Sequence, residues 1–406
     1  MEQFKKLGII APILRVIEEE KFEHPSEIQE KSIPLVVSGK DVIAGSATGS
    51  GKTLVFGSAI IQQVDTGKGI QSLILTPTRE LALQVALALK TFSKYKHLNI
   101  IAVYGGVAIG PQIDGLRRAD VVVGTPGRIL DHLSRRTLNL SKIKVLVLDE
   151  ADRMFDMGFR EDVEEIISHC SPQRQTLLFS ATISSDIANL SRKYMNQPVE
   201  IFAESYVDPK KLTQIYYDVQ QKLKFSLLVH LLKKEKTPGL SMVFCNTQST
   251  TNFVERNLKS LGINALAIHG GFSQAKREMV IKKFYTQKVD VLVCTDVAAR
   301  GLDIKGVSHV YNYDIPKDSK QYIHRIGRTA RAGSEGKAVN LLSSRDHDNF
   351  TRVLRENQMD ITLEKTPYVE RLEVTMEERD NSSPREGNRG RGGSGSWGRR
   401  PRSRRF

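Results

Sequence analysis

The sequence predicts an α/β protein with two doubly wound parallel-sheet domains in tandem, followed by a disordered tail rich in arginine and glycine. Three observations predict this architecture. Short apolar runs alternate with longer amphipathic stretches, a pattern typical of parallel strands joined by crossover helices. The alternation begins again after Pro198, and it is lost in residues 381–406. We therefore expect two separate sheets and no packed structure at the end of the chain.

Each domain is predicted from its own series of strands. In the first, at residues 1–203, the predicted strands are Asp41–Ala44, Ser72–Leu75, Ile100–Tyr104, Val121–Gly124, Val145–Leu148 and Thr176–Phe179. In the second, at residues 212–365, they are Ile215–Val219, Met242–Cys245, Ala265–Ile268, Val289–Cys294, Val310–Tyr313 and Ala338–Leu342. A short polar linker at 204–211 is predicted to join the domains, and residues 366–406 to form a basic low-complexity tail.

Composition sets the broad class of the protein. The chain has 406 residues, of which 40% are hydrophobic and 26% charged, so most of it is neither disordered, fibrous nor membrane-embedded. It carries 60 Lys and Arg against 46 Asp and Glu, a net charge of +14. This excess indicates a polyanionic partner such as a nucleic acid, although a solvated basic surface would explain it equally well.

The cysteines and the N-terminal segment indicate a cytoplasmic protein. The chain contains only three cysteines at wide spacing, which predicts neither a disulfide framework nor a zinc site. The apolar stretch at 7–14 is too short to span a bilayer and is followed by charged residues. We therefore expect a reducing compartment, an amphipathic first helix and no membrane partner.

A glycine-rich segment between the first strand and the following helix has the pattern of a phosphate-binding loop. It consists of Ser46, Ala47, Thr48, Gly49, Ser50, Gly51, Lys52 and Thr53. In such loops backbone N–H groups bind phosphates, the lysine reaches the β and γ groups, and the hydroxyl holds Mg²⁺. Ser46 stands where the strict pattern has glycine. A chance glycine-rich turn is the alternative, and the strand–loop–helix context disfavours it.

An acidic quartet follows the apolar run at 145–148, at the end of a strand where open α/β sheets bind their ligands. A metal–nucleotide site needs a carboxylate for Mg²⁺, and hydrolysis needs a group that orients and deprotonates water. We assign the first task to Asp149 and the second, as general base, to Glu150. Such a quartet alone is more typical of a solvated helix start, but together with Lys52 it indicates a nucleotide site.

The loop and the quartet Asp-Glu-Ala-Asp resemble motifs of the DEAD-box family of ATP-dependent RNA helicases, and further motifs follow in the family's order over residues 1–365. The resemblance implies RecA-like domains, ATP and Mg²⁺ as cofactors, and RNA as partner. Phe22 and Gln29 resemble the family's adenine-reading motif, with Phe4 as its upstream aromatic residue. By this resemblance Phe22 stacks on adenine and the Gln29 amide pairs with its edge.

The resemblance also assigns RNA contacts to loops at strand ends in both domains. These residues are Pro77, Thr78, Arg79, Gly106, Thr125, Gly127, Arg128, Gln274, Arg277, Thr295 and Arg300. Their N–H, hydroxyl and guanidinium donors suit phosphate and sugar groups, although each motif alone would be an ordinary turn or helix cap. The preference for RNA over DNA comes from the resemblance, and contacts to 2′-hydroxyls would be its physical basis.

The remaining motifs connect hydrolysis to strand separation. The resemblance assigns this coupling to Asp152, Ser180, Thr182 and His324, and contact with the ribose to Asp303. Arg328 and Arg331 lie one turn apart if the segment is helical, so both can face the γ-phosphate and stabilise transition-state charge across a cleft. Ala330 stands where the family usually has glycine. Because helices accept alanine better than glycine, we expect both arginines to remain usable.

The sequence therefore predicts an RNA-dependent ATPase and RNA helicase. Two domains would close on ATP and one RNA strand, separate short duplexes locally or remodel RNA–protein complexes, and reopen after hydrolysis. We expect a monomer with ribonucleoprotein partners. One alternative is an ATP-gated RNA clamp or RNA chaperone whose main output is annealing or remodelling. Another is a binding protein with a vestigial phosphate loop, which the intact set of Lys52, Glu150, Arg328 and Arg331 disfavours.

The tail carries half of the chain's excess positive charge. Residues 381–406 contain eight arginines, one glutamate and the only tryptophan, Trp397. Such a segment suits phosphate contacts without sequence preference and stacking on bases. We expect it to hold RNA near the domains, with a purely solubilising tail as the alternative.

Overall fold

The computed structural model describes residues 1–45, 51–202, 212–234, 239–286, 288–299, 306–330, 335–357, 359 and 361–375. Within these ranges the chain forms two α/β units, each built on a parallel sheet of seven strands. The predicted linker at 204–211 and the chain from 376 onward lie outside the described residues. No helix in the described part of the chain is long and apolar enough to cross a membrane.

The first unit begins with three helices and then alternates strands with helices. In chain order its elements are α1 (Glu2–Lys6), α2 (Ala11–Glu19), α3 (Glu27–Val37), β1 (Val42–Gly45), α4 (Lys52–Gln63), β2 (Ser72–Leu75), α5 (Arg79–Phe92), β3 (Ile100–Val103), α6 (Gly110–Leu116), β4 (Val121–Gly124), α7 (Pro126–Ser134), β5 (Val145–Leu148), α8 (Ala151–Asp156), α9 (Arg160–Ser168), β6 (Gln175–Ser180), α10 (Ser185–Tyr194) and β7 (Val199–Phe202).

The second unit repeats this alternation, with a 3₁₀ turn at Gln221–Leu223 between its first strand and its first helix. Its elements are β8 (Leu212–Asp218), α11 (Lys224–Lys234), β9 (Leu240–Cys245), α12 (Gln248–Ser260), β10 (Ala265–Ile268), α13 (Gln274–Tyr285), β11 (Val291–Thr295), α14 (Asp296–Ala299), β12 (Val307–Asn312), α15 (Ser319–Ile326), β13 (Gly336–Leu342), α16 (His347–Asn357) and β14 (Thr362–Leu363).

The two sheets have the same topology. Their strand orders are β3-β4-β2-β5-β6-β1-β7 and β10-β11-β9-β12-β13-β8-β14, so the strands of the second sheet occupy the places of those of the first in the same sequence. All paired strands in both sheets are parallel. The loops that follow corresponding strands therefore occupy equivalent positions at the carboxyl edge of each sheet.

Burial on both faces explains why the central strands are visible in the sequence. In β5, Val145 and Val147 belong to one hydrophobic cluster, and Leu146 and Leu148 belong to the cluster on the other face. A strand covered on both sides needs apolar residues at every position, so it reads as a continuous apolar run. The predicted fold class is confirmed, and every predicted strand is present, with bounds that either match or differ by at most three residues at an end.

Two strands, β7 and β14, were missed. Each lies at the edge of its sheet and pairs with one neighbour. Glu200 and Phe202 of β7 are exposed, and both residues of β14 are exposed. An edge strand with solvated side chains lacks the apolar run on which the prediction depended.

Residues 366–375 pack on the second domain, although the sequence analysis assigned them to the tail. Their apolar side chains Val369, Leu372 and Val374 contact the core between the sheet and its helices. The Leu372 N–H donates to Ser226 Oγ at 3.0 Å, and the Asn257 side chain exchanges hydrogen bonds with the Thr375 backbone. Charged residues between these apolar positions hid the pattern. The packed part of the chain thus extends past the predicted end at 365.

Candidate nucleotide and RNA site

Lys52 lies at the carboxyl edge of the first sheet as the first residue of α4. Of the predicted phosphate loop, residues 46–50 lie outside the described residues. Gly51 has a φ of +85°, and a Cβ at this position would lie 2.3 Å from Gln29 Nε2. Both conformation and space therefore require glycine here. The N-terminus of α4 leaves backbone N–H groups for an anion such as phosphate.

The Gln29 side chain connects α3 to the phosphate loop. Its Oε1 accepts the Ser26 N–H at 3.0 Å, and its Nε2 donates to the Gly51 carbonyl at 3.1 Å. Phe22 lines the same cavity as Lys52, whereas Phe4 is fully buried in the hydrophobic core. Contact of Phe22 and Gln29 with adenine stays a prediction.

Asp149 stands at the end of β5, next to Lys52. Its N–H donates to the Leu75 carbonyl of the neighbouring strand β2 at 2.9 Å, and its Oδ1 lies 3.7 Å from Lys52 Nζ. Burial is the largest influence on this carboxyl, and together with the charge of Glu150 it raises the pKa to about 6 even though Lys52 acts in the opposite direction. A bound cation would stabilise the ionised form of this buried carboxylate.

Glu150 forms a buried ion pair with Arg153. Arg153 Nη1 lies 2.6 Å from Glu150 Oε2, and both side chains are 4% exposed. Burial by itself raises the pKa of this carboxyl, but the positive charges of Arg153, Lys52 and Arg328 outweigh it and hold the pKa below its ordinary value. Glu150 is therefore ionised at neutral pH, as a general base must be. Arg153 was not predicted from the sequence, although its i, i+3 spacing from Glu150 was an available signal.

The two acids fit a magnesium–nucleotide complex. Among the described residues, Asp149 Oδ1 and Glu150 Oε1 are buried oxygens without a hydrogen-bond partner. Buried oxygens are normally satisfied, and Mg²⁺ is an ion that prefers oxygen ligands. The described residues contain no group of three or more metal-binding side chains. This set suits an ion held by one or two protein oxygens, water and phosphate.

The acidic quartet and the loop after β6 form one hydrogen-bonded unit. Asp152 Oδ2 accepts the backbone N–H groups of Ala181 and Thr182, each at 3.2 Å, and the Thr182 hydroxyl at 3.3 Å. The Ser180 hydroxyl donates instead to the Thr182 carbonyl at 2.7 Å. A displacement of this loop would therefore move the quartet. The coupling role of Asp152, Ser180 and Thr182 stays a prediction.

The residues predicted to contact RNA in the first domain meet at one end of the sheet, because β3, β4 and β2 are neighbours. They are Pro77, Thr78, Arg79, Gly106, Thr125, Gly127 and Arg128. Arg79 lies against Gly106, where a Cβ would come within 2.0 Å of its guanidinium, and Gly106 has a φ of +79°. Arg128 donates to the Val107 carbonyl at 3.1 Å and to Gln112 Oε1 at 3.3 Å. These contacts hold the loops together.

Two residues predicted to bind RNA in the second domain lie in the cleft between the domains. Arg277 Nη2 is 2.9 Å from Oε1 of Glu80, a side chain of the first domain that is 3% exposed. Gln274 Nε2 donates to Glu278 Oε1 at 3.1 Å. The structure thus gives Arg277 a role in joining the domains, and its contact with RNA stays a prediction. Thr295 ends β11, and Arg300 and Asp303 lie outside the described residues.

A cavity of about 670 Å³ runs between the domains. Lys52, Thr53, Asp149 and Glu150 line it from the first domain, and Glu278, Ile281, Lys282 and Thr286 from the second. Its volume lies in the range of small-molecule sites. Of the predicted nucleotide-site residues, Phe22, Gly51, Lys52, Thr53, Asp149 and Glu150 therefore share one cavity that both domains form.

Comparison with known proteins agrees with this geometry. The family profile DEAD/DEAH box helicase matches residues 26–190, and the profile Helicase conserved C-terminal domain matches 223–333. The ATP-dependent RNA helicase CshA of Listeria monocytogenes is 45% identical over 88% of this chain and 69% of that protein. The chain belongs to the DEAD-box family. A second DEAD-box relative, CshA of Geobacillus kaustophilus, is 42% identical over 91% of this chain and 80% of its own length.

Solved structures of DEAD-box proteins share the fold. Saccharomyces cerevisiae Dbp5 bound to RNA and ADP BeF3 superimposes with a TM-score of 0.81 at 32% identity, covering 89% of this chain and 95% of that one. A DEAD-box protein from Methanococcus jannaschii is more similar in sequence, at 42% identity over 89% of this chain and 99% of that one, yet its TM-score is 0.56. Both domains of this chain thus match DEAD-box structures.

The arginine motif departs from the helical geometry that the sequence analysis assumed. Helix α15 contains His324 and ends at Ile326, so Arg328 follows the helix, and Arg331 lies outside the described residues. Arg328 is 3% exposed and donates from Nε to the His324 carbonyl at 3.2 Å. Its charge nevertheless reaches Glu150 across the cleft. The turn after α15 thus sets the position of Arg328.

Ala330 does not have the helical conformation that was expected for it. It has a φ of +53°, in the left-handed region that favours glycine, so its helix propensity is irrelevant. The DEAD-box glycine usually found here matches this conformation. We expect Ala330→Gly to stabilise the chain by about 1 kcal/mol, which for a domain of this size raises the thermal midpoint by about 2–4 °C.

Thermal unfolding followed by circular dichroism checks this expectation. The matched control is Ala188→Gly in helix α10, which should lower the midpoint because glycine in a helix interior costs about 1 kcal/mol. Equal shifts in the two variants would show that Ala330 carries no strain.

Proposed function

We propose that this protein is an ATP-dependent RNA helicase whose hydrolysis is stimulated by RNA. The observation that carries the proposal is the shared cavity, in which Lys52, Asp149 and Glu150 of the first domain face the second domain. The positive charge of Arg328 in the second domain also lowers the pKa of Glu150. A nucleotide in this cavity would touch both domains. Its binding would then favour the closed arrangement, and its hydrolysis would release it.

Different residues of the chain would bind ATP, hold the metal ion and hydrolyse the nucleotide. Lys52 and the N-terminus of α4 would bind the β and γ phosphates, and Thr53 and Asp149 would hold Mg²⁺. The ion, when bound, neutralises charge that develops on the phosphate oxygens. Glu150, kept ionised by its cationic neighbours, orients a water molecule and takes its proton. Arg328, together with Arg331, would stabilise the charge of the transferred phosphoryl group.

RNA would bind along the loops at the carboxyl edges of both sheets. In the first domain, Arg79 and Arg128 hold the loops after β2, β3 and β4 together, and the same loops offer backbone N–H donors to phosphates. Because ATP and RNA would both favour closure, each should raise the affinity for the other. Bending of the bound strand in the closed cleft would displace its partner over a short duplex.

We also infer the oligomeric state, the cellular compartment, the partners and the domain limits of the protein. Glu150 and Arg328 come from one chain, which favours a monomer. The three cysteines are free, buried thiols, which fits a reducing cytoplasm. Ribonucleoprotein partners are expected, as is contact of the arginine-rich tail with RNA. The proposed domain limits are 1–203 and 212–375, with the linker at 204–211.

The experiment is an ATPase assay on the purified full chain with Mg²⁺, repeated with single-stranded RNA, with DNA of the same sequence and with no nucleic acid. We expect RNA to stimulate hydrolysis and DNA to do so far less, because DNA lacks the 2′-hydroxyl. A labelled short RNA duplex then reports strand displacement. RNA-stimulated hydrolysis without displacement would favour the ATP-gated clamp or chaperone, and hydrolysis indifferent to RNA would overturn the proposal.

A further inference from the structure

The second domain has a lysine and an aspartate where the first domain has its nucleotide site. Lys52 is the first residue of the helix after β1, and Lys224 is the first residue of the helix after β8, the strand that takes the place of β1. Asp149 follows β5, and Asp314 follows β12, the strand that takes the place of β5. The two lysine–aspartate pairs therefore occupy equivalent positions in the two sheets.

The correspondence extends to individual contacts. Lys224 Nζ lies 3.9 Å from Asp314 Oδ1, against 3.7 Å between Lys52 Nζ and Asp149 Oδ1. The Asp314 N–H donates to the Phe244 carbonyl on β9 at 3.2 Å. Its counterpart in the first domain donates to β2, the strand that β9 replaces, at 2.9 Å. Asp314 lies two residues past β12, against one residue for Asp149 past β5, and the lysine, the aspartate and the strand end form a similar framework at the same edge of each sheet.

In the second domain a carboxylate of the protein fills this framework. Asp346 Oδ2 lies 2.7 Å from Lys224 Nζ, and Lys224 is only 1% exposed. The same oxygen accepts the Ser343 hydroxyl at 2.7 Å and the Ser343 N–H at 3.0 Å, and Oδ1 accepts the Ile315 N–H at 3.4 Å. A lysine and backbone N–H groups are the donors that a phosphate loop offers to phosphate.

The carboxylate is charged in this setting. Burial by itself raises the pKa of Asp346, but the Lys224 ammonium and the hydrogen bonds from Ser343 hold that pKa below its ordinary value. Lys224 and Asp346 thus form a buried ion pair. When one partner of such a pair is removed, the other remains as an uncompensated buried charge.

The pair connects to the helix before Arg328. Asp314 Oδ2 accepts the Asn246 N–H at 2.9 Å, and Asn246 Oδ1 accepts Arg325 Nη2 at 2.8 Å. Arg325 lies in α15, is 1% exposed, and also donates to the Asp314 carbonyl. A path of polar contacts therefore runs from buried Lys224 through Asp314 and exposed Asn246 to Arg325, in the helix that leads into Arg328.

We propose that Asp346 is a built-in substitute for a phosphate in the second domain, and that its ion pair with Lys224 positions Arg328 for the nucleotide on the first domain. This role rests on the proposed ATP hydrolysis. The second domain then carries its own anion beside this lysine. Lys224 and Asp346 are positioning residues that touch neither ATP nor RNA.

The test removes the carboxylate and supplies a free one. In the full chain, Asp346→Ala leaves a space beside Lys224 that formate fits. We expect its thermal midpoint, measured without nucleotide, to fall below that of the parent and to recover with sodium formate but not with sodium chloride at equal ionic strength. Asp348→Ala, an exposed position in α16, the helix that follows Asp346, should match the parent and show no specific response to formate. Lys224→Met should lose stability that formate does not restore, with exposed Lys222→Met as its control.

Kinetics separate positioning from simple stability. We expect Asp346→Ala to lower kcat of RNA-stimulated hydrolysis by about 10- to 100-fold, since misplacing a catalytic group by about 1 Å can cost about 100-fold. KM for ATP should change little, because the first domain holds the nucleotide. Formate should restore kcat in parallel with the thermal midpoint.

The results that overturn the proposal are distinct. An Asp346→Ala chain that responds to formate no more than Asp348→Ala would remove the phosphate-substitute claim. If Asp346→Ala does not fold, Asp346→Asn keeps the shape and removes the charge, and a parental kcat in that variant would refute the positioning role. If the parent hydrolyses no ATP, the proposed function fails, while the formate-dependent midpoint still decides whether the carboxylate fills an anion site.

Discussion

Glu150→Gln is expected to abolish measurable ATP turnover while the folded chain still binds ATP. The amide keeps the shape of the side chain but cannot take a proton from water, and loss of a general base typically costs about 10²- to 10⁴-fold. ATP should still bind, because Lys52 and Asp149 remain in place beside the phosphate loop. Hydrolysis of labelled ATP in a single turnover with saturating RNA, together with nucleotide binding by fluorescence titration, checks both parts.

The matched control is Glu161→Gln, an exposed glutamate in the first turn of α9. It should hydrolyse ATP at the parental rate. If folded Glu150→Gln turned over ATP nearly as fast as this control, the base would have to be another group. If Glu150→Gln lost ATP binding as well, the role of Glu150 would lie in holding the metal and nucleotide rather than in proton transfer.

Parts of the fold followed from the sequence because burial leaves a strong pattern. Strand β5 is covered on both faces and appears as an unbroken apolar run, so its position could be predicted. Strand β14 has two exposed residues at a sheet edge and leaves no such pattern. The segment at 366–375 interleaves apolar with charged residues, and only the docked structure shows that its apolar side chains face the core.

The site also contains residues that the sequence predicts and residues that only the structure reveals. Lys52, Asp149 and Glu150 lie in motifs whose spacing carries the chemistry, so they could be assigned before the fold was known. Arg153 lies beside Glu150 in sequence, yet nothing in the motif states that it neutralises the base. Lys224 and Asp346 are 122 residues apart and belong to no motif, so only the topology of the second sheet brings them to notice.

The backbone conformation of Ala330 could not be predicted from the sequence. The sequence suggested a helical segment in which alanine is an ordinary residue, whereas the backbone there is left-handed and α15 has already ended. Helix propensity is a weak prior that tertiary contacts override. Here the turn that follows α15 places Arg328, and the spacing of the arginines alone could not reveal it.

Arg328→Ala is expected to reduce RNA-stimulated hydrolysis by about 10³- to 10⁵-fold, the usual value of an arginine that stabilises phosphoryl-transfer charge from across a cleft. Arg328 is buried in the second domain, and its positive charge helps to lower the pKa of Glu150 in the first. Binding of RNA without nucleotide should change little, because the predicted RNA-contacting loops of the first domain lie elsewhere. Steady-state hydrolysis and RNA titration measure these two quantities, with exposed Arg355→Ala on α16 as the control.

The double variant Glu150→Gln with Arg328→Ala separates a shared transition state from two independent effects. Residues that act as a unit give strongly non-additive losses, so the double variant should be little slower than the worse of the single variants. Multiplicative losses would mean that Arg328 acts at a separate step such as domain closure. An unchanged rate in Arg328→Ala would defeat the cross-cleft mechanism itself, since the charge that the second domain contributes would then be dispensable for hydrolysis.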